Sequence, residues 1–227
     1  MLNVLLNDGG KISFNGCITQ FYFFGFSETY ECFLLTLMCY DRYLAICKPL
    51  HYPAIMNNQV CLKLVAMCCI ICLPVVLVDT ISLSQLQFCR SNIIDHFFCD
   101  LGPLLEISCS DTYIVKLEVL LLSTPIVIIP SLIIIISYAY IISAIMKIQS
   151  KDGRQKTFST CSSHLSVVII FYGTLFSIYI IPSMDNFANI KKTLSLAYTV
   201  VTPLLNPIIY GLRSQEIKKA LKMFCLS

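Results

Sequence analysis

Residues 38–47 read MCYDRYLAIC and end an apolar run long enough to span a membrane. Asp41 and Arg42 therefore lie where a hydrophobic helix meets water. Charges at that boundary are costly when they are buried, whereas a long side chain such as arginine can extend to the interface at little cost. Taken alone, the pair is typical of the end of a transmembrane helix.

The composition of the whole chain also indicates a membrane protein. Hydrophobic residues make up 57% of it and charged residues 13%, and the mean hydropathy is +0.78. Soluble domains average roughly 25% charged residues, so this chain lacks the polar side chains needed to cover its own surface. A lipid bilayer must replace water around much of it. The formal net charge of +3 is too small to indicate a nucleic acid as a partner.

Five apolar segments are each near or above the roughly 20 residues that a helix needs to cross the hydrocarbon core. They cover approximately residues 17–40, 61–81, 117–146, 160–182 and 193–212. The pattern predicts an all-α transmembrane fold, a helical bundle of five spans. Two prolines in the third span, Pro125 and Pro130, predict a kink there.

The basic residues of the loops predict the orientation of these spans, because cytosolic loops carry an excess of lysine and arginine. Basic residues concentrate after the first span, after the third span and in the tail; they are Arg42, Lys48, Lys63, Lys147, Lys151, Arg154, Lys156, Arg213, Lys218, Lys219 and Lys222. The loop at 82–112 has one arginine against four acidic residues, so we expect it outside. The amino terminus is then outside and the carboxyl terminus cytosolic. Lys191 and Lys192 are a mild exception.

Most of the 13 cysteines lie inside apolar spans, where cysteine packs as a small hydrophobic residue. Four lie on the predicted outer side: Cys17, Cys89, Cys99 and Cys109. An oxidising outer face allows them to form disulfides, and three pairings are possible from the sequence. Zinc binding is the competing interpretation, but these four lack the C-x₂-C spacing of zinc ligands.

Ordered motifs along the rest of the chain carry a resemblance to one receptor family. They are KPLHY at 48–52, FC at 88–89, DHFFCD at 95–100, CSD at 109–111, SY at 137–138, KTFSTCSSHL at 156–165, FYGT at 171–174 and PLLNPIIYGLR at 203–213. Together with residues 38–47, they resemble the motifs of odorant receptors, which belong to the rhodopsin-like G-protein-coupled receptors. The resemblance covers nearly the whole chain.

In this resemblance, the five spans correspond to helices three to seven of a seven-helix receptor. Residues 1–227 would then be a single partial receptor domain, with a short amphipathic helix at 214–224 after the last span. Met1 aligns with the outer end of helix two. We therefore expect either a fragment of a longer receptor or the product of a truncated gene.

The resemblance implies an odorant-detecting receptor in the plasma membrane. Its partners would be a small hydrophobic odorant and a heterotrimeric G protein of the stimulatory, olfactory type, and no cofactor is implied. The alternative is a nonsignalling truncated receptor, a pseudogene product retained in the endoplasmic reticulum. An enzyme is disfavoured because no nucleophile–base pair or metal cluster lies at a common depth, and a transporter because no inverted repeat is evident.

The outer thirds of the helices form an apolar ligand pocket in this family. The residues that could line such a cavity here are Phe21, Phe24, Gly25, Glu28, Tyr172, Phe176 and Tyr179. Small volatile ligands suit such a pocket. The alternative interpretation is that the aromatic residues, at helical spacing, belong to the core or face lipid.

Two carboxylates lie within the first span, three residues apart on neighbouring positions of one face, and an intramembrane carboxylate indicates a function by default. Glu31 matches a family position that holds a sodium ion together with an aspartate of helix two, which is missing here. Glu28 lies one turn further out, at the depth of the pocket. The alternative for Glu28 is a protonated carboxyl group that bonds a helix backbone or a hydroxyl.

The resemblance also implies a signalling switch at the cytosolic side. Arg42 pairs with Asp41 in one state and turns toward tyrosine hydroxyls in another, which makes a two-state element. Its residues are Asp41, Arg42, Tyr43, Tyr138, Asn206, Pro207 and Tyr210. The plainer interpretations are an interfacial arginine and a simple proline kink. For the outer cysteines, the family pattern implies the pairs Cys17–Cys99 and Cys89–Cys109.

Overall fold

The computed structural model describes residues 9–89, 93–180, 188–196, 199 and 204, without the side chains of 179, 180, 188, 189 and 191. The described chain is helical. Its elements are α1 (Phe14–Cys47), α2 (Tyr52–Ile55), α3 (Asn58–Ser84), α4 (Leu101–Ile107), α5 (Tyr113–Glu118), a π-helical segment (Val119–Ser123), α6 (Thr124–Met146), α7 (Lys151–Ile180) and α8 (Ala188–Leu196). Within these ranges the β contact is a single bridge between Phe88 and Ser108.

Helix α1 is longer than the first predicted span and extends past it at both ends. Its 34 residues, at 1.5 Å per residue, measure about 51 Å. The helix begins where the Ser13 Oγ accepts a hydrogen bond from the Gly16 N–H at 3.1 Å, which satisfies a donor of the first turn. It continues past residue 40 to Cys47, so Asp41 and Arg42 lie in its last turns.

Three helices in the described part of the chain are long and apolar enough to cross a membrane: Asn58–Ser84, the continuous run Tyr113–Met146, and Lys151–Ile178. They contain the predicted second and third spans and cover the predicted fourth span, 160–182, as far as Ile178. Large apolar side chains on them are exposed, such as Leu62 at 71% and Ile70 at 70%, as expected for a lipid-facing surface.

The predicted count of five spans stays a prediction. Helix α1 is not among these three, and it carries Glu28 and Glu31 near its middle, each of which lowers its hydropathy. Most of the predicted fifth span, 193–212, lies outside the described residues, as does the predicted amphipathic helix at 214–224.

The kink that Pro125 and Pro130 predict in the third span stays a prediction, and the structure shows a π-helical segment beside these prolines. Val119–Ser123 is wound as a π-helix immediately before Thr124 and Pro125, and Pro130 lies inside α6. Because proline has no N–H, Pro125 donates no backbone hydrogen bond within the helix. The turn immediately before it is wound as a π-helix instead of an α-helix.

The chain forms two compact units, residues 1–138 and 139–227. In the first unit, α1 packs against α3, and a core cluster joins Cys17, Phe21, Leu83, Cys99 and Leu104. In the second unit, the buried residues of α7 recur every three or four positions, at Cys161, His164, Val168, Phe171 and Leu175. That spacing places them on one face of the helix.

Gly25 sets how closely α1 approaches α3, which gives a first prediction. A Cβ atom at this position would lie 3.2 Å from the Cγ1 of Val76, which is buried. We expect Gly25→Leu to lower the free energy of unfolding by roughly 1–3 kcal/mol, because a side chain there overpacks the interface. Thermal unfolding in detergent measures the effect.

The matched control is Gly173→Leu, since a Cβ at Gly173, also within a helix, meets no atom within 4 Å. We expect this variant to unfold at the parent temperature or above it, because leucine favours the helix over glycine by roughly 0.5–1 kcal/mol. Equal melting temperatures for the two leucine variants would contradict the proposed role of Gly25.

Candidate functional site

A polar cluster lies at the end of α1 that the sequence predicts to be cytosolic. The Arg42 Nε lies 4.0 Å from the Asp41 Oδ2, and the Tyr52 hydroxyl donates a hydrogen bond to the Asp41 Oδ1 at 2.8 Å. Tyr52 is the first residue of the short helix α2, with Pro53 next to it in the first turn. The hydrogen bond to Asp41 raises the pKa of Tyr52. Asp41 therefore has two partners, one on its own helix and one on the following loop.

Sequence reasoning missed the role of Tyr52, which entered only as part of a motif. Its spacing of 11 residues from Asp41 crosses a helix end, so no helical periodicity relates the two residues. Because Tyr52 belongs to α2, the hydrogen bond that Asp41 accepts depends on the position of α2.

Within the first unit, α6 lies beside the inner half of α1. The Cys39 Sγ is 3.9 Å from the Ile134 carbonyl oxygen, and Tyr138, also buried, lies one helical turn beyond Ile134 on the same face. Arg42 lies about one turn beyond Cys39 in the inward direction of α1. The tyrosine therefore lies near the level of the arginine. The other residues assigned to the switch, Asn206, Pro207 and Tyr210, lie outside the described residues.

The outer loop lies against the outer half of α1. The Gln20 Oε1 accepts a hydrogen bond from the Cys99 N–H at 3.1 Å, and the Phe24 and Phe98 ring centroids are 4.6 Å apart. Phe98 also meets the His96 ring at 4.6 Å in an edge-on arrangement. The loop thus covers the region where ligand-binding side chains were expected.

The predicted pocket residues of α1 lie in different surroundings. Phe21 is 9% exposed and belongs to the core cluster, and Gly25 faces Val76 of α3. Phe24 and Glu28 are half-buried. Phe24 touches the loop, and the Glu28 carboxyl group interacts electrostatically with Asp100 and Glu31. The structure therefore brings Phe24 and Glu28 together beneath the outer loop and gives Phe21 and Gly25 packing contacts.

In the second unit, Tyr172 and Phe176 are neighbours one turn apart on α7. Their ring centroids are 6.0 Å apart, and Tyr172 meets Phe171 edge-on at 5.2 Å. Tyr172 is 5% exposed and Phe176 is half-buried. The side chain of Tyr179 lies outside the described residues.

Asp100 of the outer loop interacts electrostatically with Glu28. Its Oδ1 accepts a hydrogen bond from the Leu101 N–H at 2.8 Å, at the start of α4. Burial raises the pKa of Asp100, while the Leu101 bond and nearby His96 act in the opposite direction. Loop and helix therefore bring two carboxyl groups, Glu28 and Asp100, close together.

The outer cysteines occur as two pairs. Cys17 and Cys99 have their Cα atoms 5.5 Å apart and form a disulfide, and so do Cys89 and Cys109 with Cα atoms 5.8 Å apart. A backbone hydrogen bond also joins the two segments that carry the second pair, because the Cys109 N–H donates to the Gln87 carbonyl oxygen at 2.9 Å. These are the pairs that the family pattern implies.

Glu31 does not form a metal centre with its described neighbours. Within the described ranges, no three histidine, cysteine or acidic side chains are grouped so that they could hold a metal ion. The sodium site that the resemblance implied at Glu31 also requires an aspartate of another helix. The residues present therefore do not fit that ion, and no step is assigned to it.

Comparison with known proteins decides the family. The sequence profile of the family described as "Olfactory receptor" matches residues 1–227. Olfactory receptor 5G29 of Mus musculus is 50% identical over 222 residues, which cover 98% of this chain and 71% of that protein. Olfactory receptor 11L1 of Homo sapiens is 46% identical over 222 residues, 98% of this chain and 69% of that protein. Olfactory receptor 10A2 of Homo sapiens is 50% identical over 221 residues, which cover 97% of this chain and 73% of that protein.

The chain belongs to the olfactory receptor family. The resemblance drawn from residues 38–47 and the later motifs is thereby confirmed. Membership makes this olfactory receptor a membrane protein of the G-protein-coupled receptor class, in agreement with its apolar helices.

Two further carboxyl groups of this olfactory receptor were missed by the sequence analysis. Asp79 lies within the predicted second span and is 7% exposed, and Glu118 lies at the start of the third. The Ser123 hydroxyl donates a hydrogen bond to the Asp79 Oδ2. The sequence contains the evidence for both residues, because a carboxylate inside an apolar span costs free energy and therefore indicates a function.

Proposed function

We propose that this olfactory receptor binds small hydrophobic odorants at the outer side of its helices and activates a heterotrimeric G protein of the stimulatory, olfactory type at the inner side. The observation that carries the proposal is the cluster of Asp41, Arg42 and Tyr52 at the end of α1 in a chain of this family. A permanently charged arginine that has a weak, long contact to one carboxylate can exchange partners.

The proposed mechanism is a population shift. An odorant that binds the active arrangement more tightly than the resting one raises the population of the active arrangement. The ratio of its two affinities limits how far the equilibrium shifts. In the active state, Arg42 leaves Asp41 and the G protein docks beside it. Tyr43, Tyr138, Asn206, Pro207 and Tyr210 are the other residues proposed for the switch.

The proposed topology has five spans, with the amino terminus outside, the carboxyl terminus cytosolic and the protein in the plasma membrane. The basic residues near Arg42 and after α6 support a cytosolic location for those segments. The paired cysteines near residues 89–109 support an outer location for that loop, because disulfides persist in an oxidising compartment. Residues 1–227 are proposed to be one partial receptor domain.

The proposed odorant site is apolar. Small ligands bind aromatic surface, which Phe24 beneath the outer loop supplies in the first unit and which Tyr172 and Phe176 on α7 supply in the second. Phe21, Gly25 and Tyr179 are proposed to complete the site, the first two through the packing that shapes it.

A cell assay of surface expression and cyclic AMP tests the function. We expect an odorant-dependent rise in cyclic AMP from a chimera in which the amino-terminal region of Olfactory receptor 5G29 precedes this chain. The chain as printed is assayed beside it. Surface staining of the chimera with no rise in cyclic AMP across a broad odorant panel, together with retention of the printed chain in the endoplasmic reticulum, would favour the runner-up, a nonsignalling truncated receptor.

Glu28 is proposed to set the preference among ligands, which gives a second prediction. A half-buried carboxyl group beneath the outer loop attracts an ammonium group and can hydrogen-bond a hydroxyl. We expect Glu28→Gln to weaken responses to amines at least tenfold more than responses to neutral odorants. Dose–response curves for matched amines and alcohols measure this difference.

The matched control for Glu28 is Glu106→Gln, an exposed carboxyl group on α4 of the outer loop. It should leave both sets of curves unchanged. If Glu28→Gln changed amine and alcohol responses by the same factor, Glu28 would have no place in ligand selection.

A further inference from the structure

Two carboxyl groups, the buried Asp79 and the half-buried Glu118, belong to elements that meet where α3 contacts α5 and the π-helical segment, apart from the site described above. Asp79 of α3 is 7% exposed, and its Oδ2 accepts the hydrogen bond from the Ser123 hydroxyl. Its other oxygen, Oδ1, is buried and has no hydrogen-bond partner among the described residues. The Glu118 Oε2 is also buried and has no hydrogen-bond partner among the described residues. The two carboxyl groups interact electrostatically.

This arrangement is unfavourable as it stands. A buried oxygen without a partner costs about 1–3 kcal/mol, and two neighbouring carboxylates repel each other. Among the described residues, no lysine or arginine forms an ion pair with Asp79 or Glu118. The described residues therefore leave two acceptor oxygens with nothing to neutralise them.

The π-helical winding explains why Glu118 and Ser123 face the same neighbour. In an α-helix, residues five apart point about 140° away from each other. A π-helix closes with bonds between residues five apart, which brings such residues close to one face. Val119–Ser123 has this winding, and both α5 and the π-helical segment contact α3. The winding thus allows Glu118 and Ser123 to lie on the side of this segment that faces α3, where Asp79 accepts the Ser123 hydrogen bond.

Asp79 and Glu118 also lie at matching depth. Asp79 is five residues before the end of α3 and Glu118 five residues after the start of α5, so each is about 7.5 Å from its helix end. In the proposed topology, both ends are on the outer side. Ions of the outer medium reach this depth more readily than ions of the cytosol.

We propose that Asp79, Glu118 and Ser123 bind a hard cation, sodium or calcium, from the outer side. Carboxylate and hydroxyl oxygens are the ligands that such ions prefer, and a cation neutralises both bare oxygens together. Three protein side chains are fewer than the ligands calcium takes, so the ion keeps part of its water. A partly hydrated ion binds weakly, at roughly 10⁻⁴–10⁻³ M, as in extracellular calcium modules.

Thermal unfolding of the purified chain in detergent tests the site. Calcium chloride and sodium chloride are titrated separately, with choline chloride at equal ionic strength as the reference. At ten times its dissociation constant, the bound ion should raise the melting temperature by roughly 3–6 °C. We expect Asp79→Asn and Glu118→Gln to abolish the rise and Ser123→Ala to reduce it, whereas the exposed Glu106→Gln should keep it.

Isothermal titration with each salt provides a direct readout for any variant that is poorly folded. The response to calcium compared with sodium identifies the ion. Absence of a rise beyond that in choline chloride, or an equal rise in Asp79→Asn, would overturn the proposal. So would stabilisation by a shift to pH 5.5 with no response to either salt, because a proton would then neutralise the pair. Neither readout depends on odorant signalling.

Discussion

Replacement of Arg42 by glutamine is expected to reduce the maximal odorant-dependent cyclic AMP signal at least tenfold. Glutamine is close to arginine in polarity but has no charge, so it neither pairs with Asp41 nor presents a guanidinium group to a docking partner. We expect surface staining to remain at the parent level, because the Arg42 side chain is half-exposed and its replacement leaves the buried core unchanged. The measurement is a cyclic AMP reporter in cells that express the chimera with the amino-terminal region of Olfactory receptor 5G29.

Tyr52→Phe is the informative companion variant. It removes only the hydroxyl group that donates to the Asp41 Oδ1 at 2.8 Å, and it leaves Arg42 in place. If the hydrogen bond helps to hold Asp41 in the resting arrangement, cyclic AMP in the absence of odorant should rise several-fold. A signal from Arg42→Gln equal to that of the parent would exclude Arg42 from the switch, whatever Tyr52→Phe does.

The second large effect concerns the disulfide between α1 and the outer loop. Cys17 and Cys99 are 82 positions apart, whereas Cys89 and Cys109 are 20 apart. In the chain-entropy model, the longer loop corresponds to about 4.5 kcal/mol and the shorter to about 3 kcal/mol. For a chain of this size, we expect Cys17→Ser to lower the melting temperature by roughly 10 °C or more, and Cys89→Ser by less.

Circular dichroism is suited to this measurement, because the chain has no tryptophan and its 13 cysteines interfere with thiol-reactive dyes. Cys32→Ser is the control, since Cys32 is buried on α1 and forms no disulfide. Peptide mapping under non-reducing conditions establishes the pairs themselves. Free thiols at all four outer positions, or any other pairing, would refute the assignment.

The helices that the sequence predicted best are those whose character is local. The spans at 61–81 and 117–146 lie within helices Asn58–Ser84 and Tyr113–Met146, and the span at 160–182 overlaps Lys151–Ile178 as far as Ile178. Apolar side chains over about 20 residues make a membrane helix regardless of which helix lies beside it. The helix ends were predicted less well, because caps such as Ser13 and turns such as residues 48–51 act beyond the apolar run.

The candidate site was predicted in its residue types but not in its contacts. Phe21 and Gly25 matched a pocket pattern, yet they pack against other elements of the first unit, because a helical repeat states which residues share a face and not what that face meets. Phe24 and Glu28 lie beneath the loop, where Asp100 and Phe98 come from residues more than 70 positions away.

The sequence by itself determined that this is a helical membrane protein of the olfactory receptor family, because hydropathy and ordered motifs are properties of the chain read in one dimension. Only the tertiary structure decided that Tyr52 donates a hydrogen bond to Asp41 and that Asp79 and Glu118 belong to helices in contact with each other. It also decided that a π-helical turn directs Ser123 toward them. The physical reason is that a polar group inside a membrane must be satisfied by a neighbour in space, and the packing of the helices selects that neighbour.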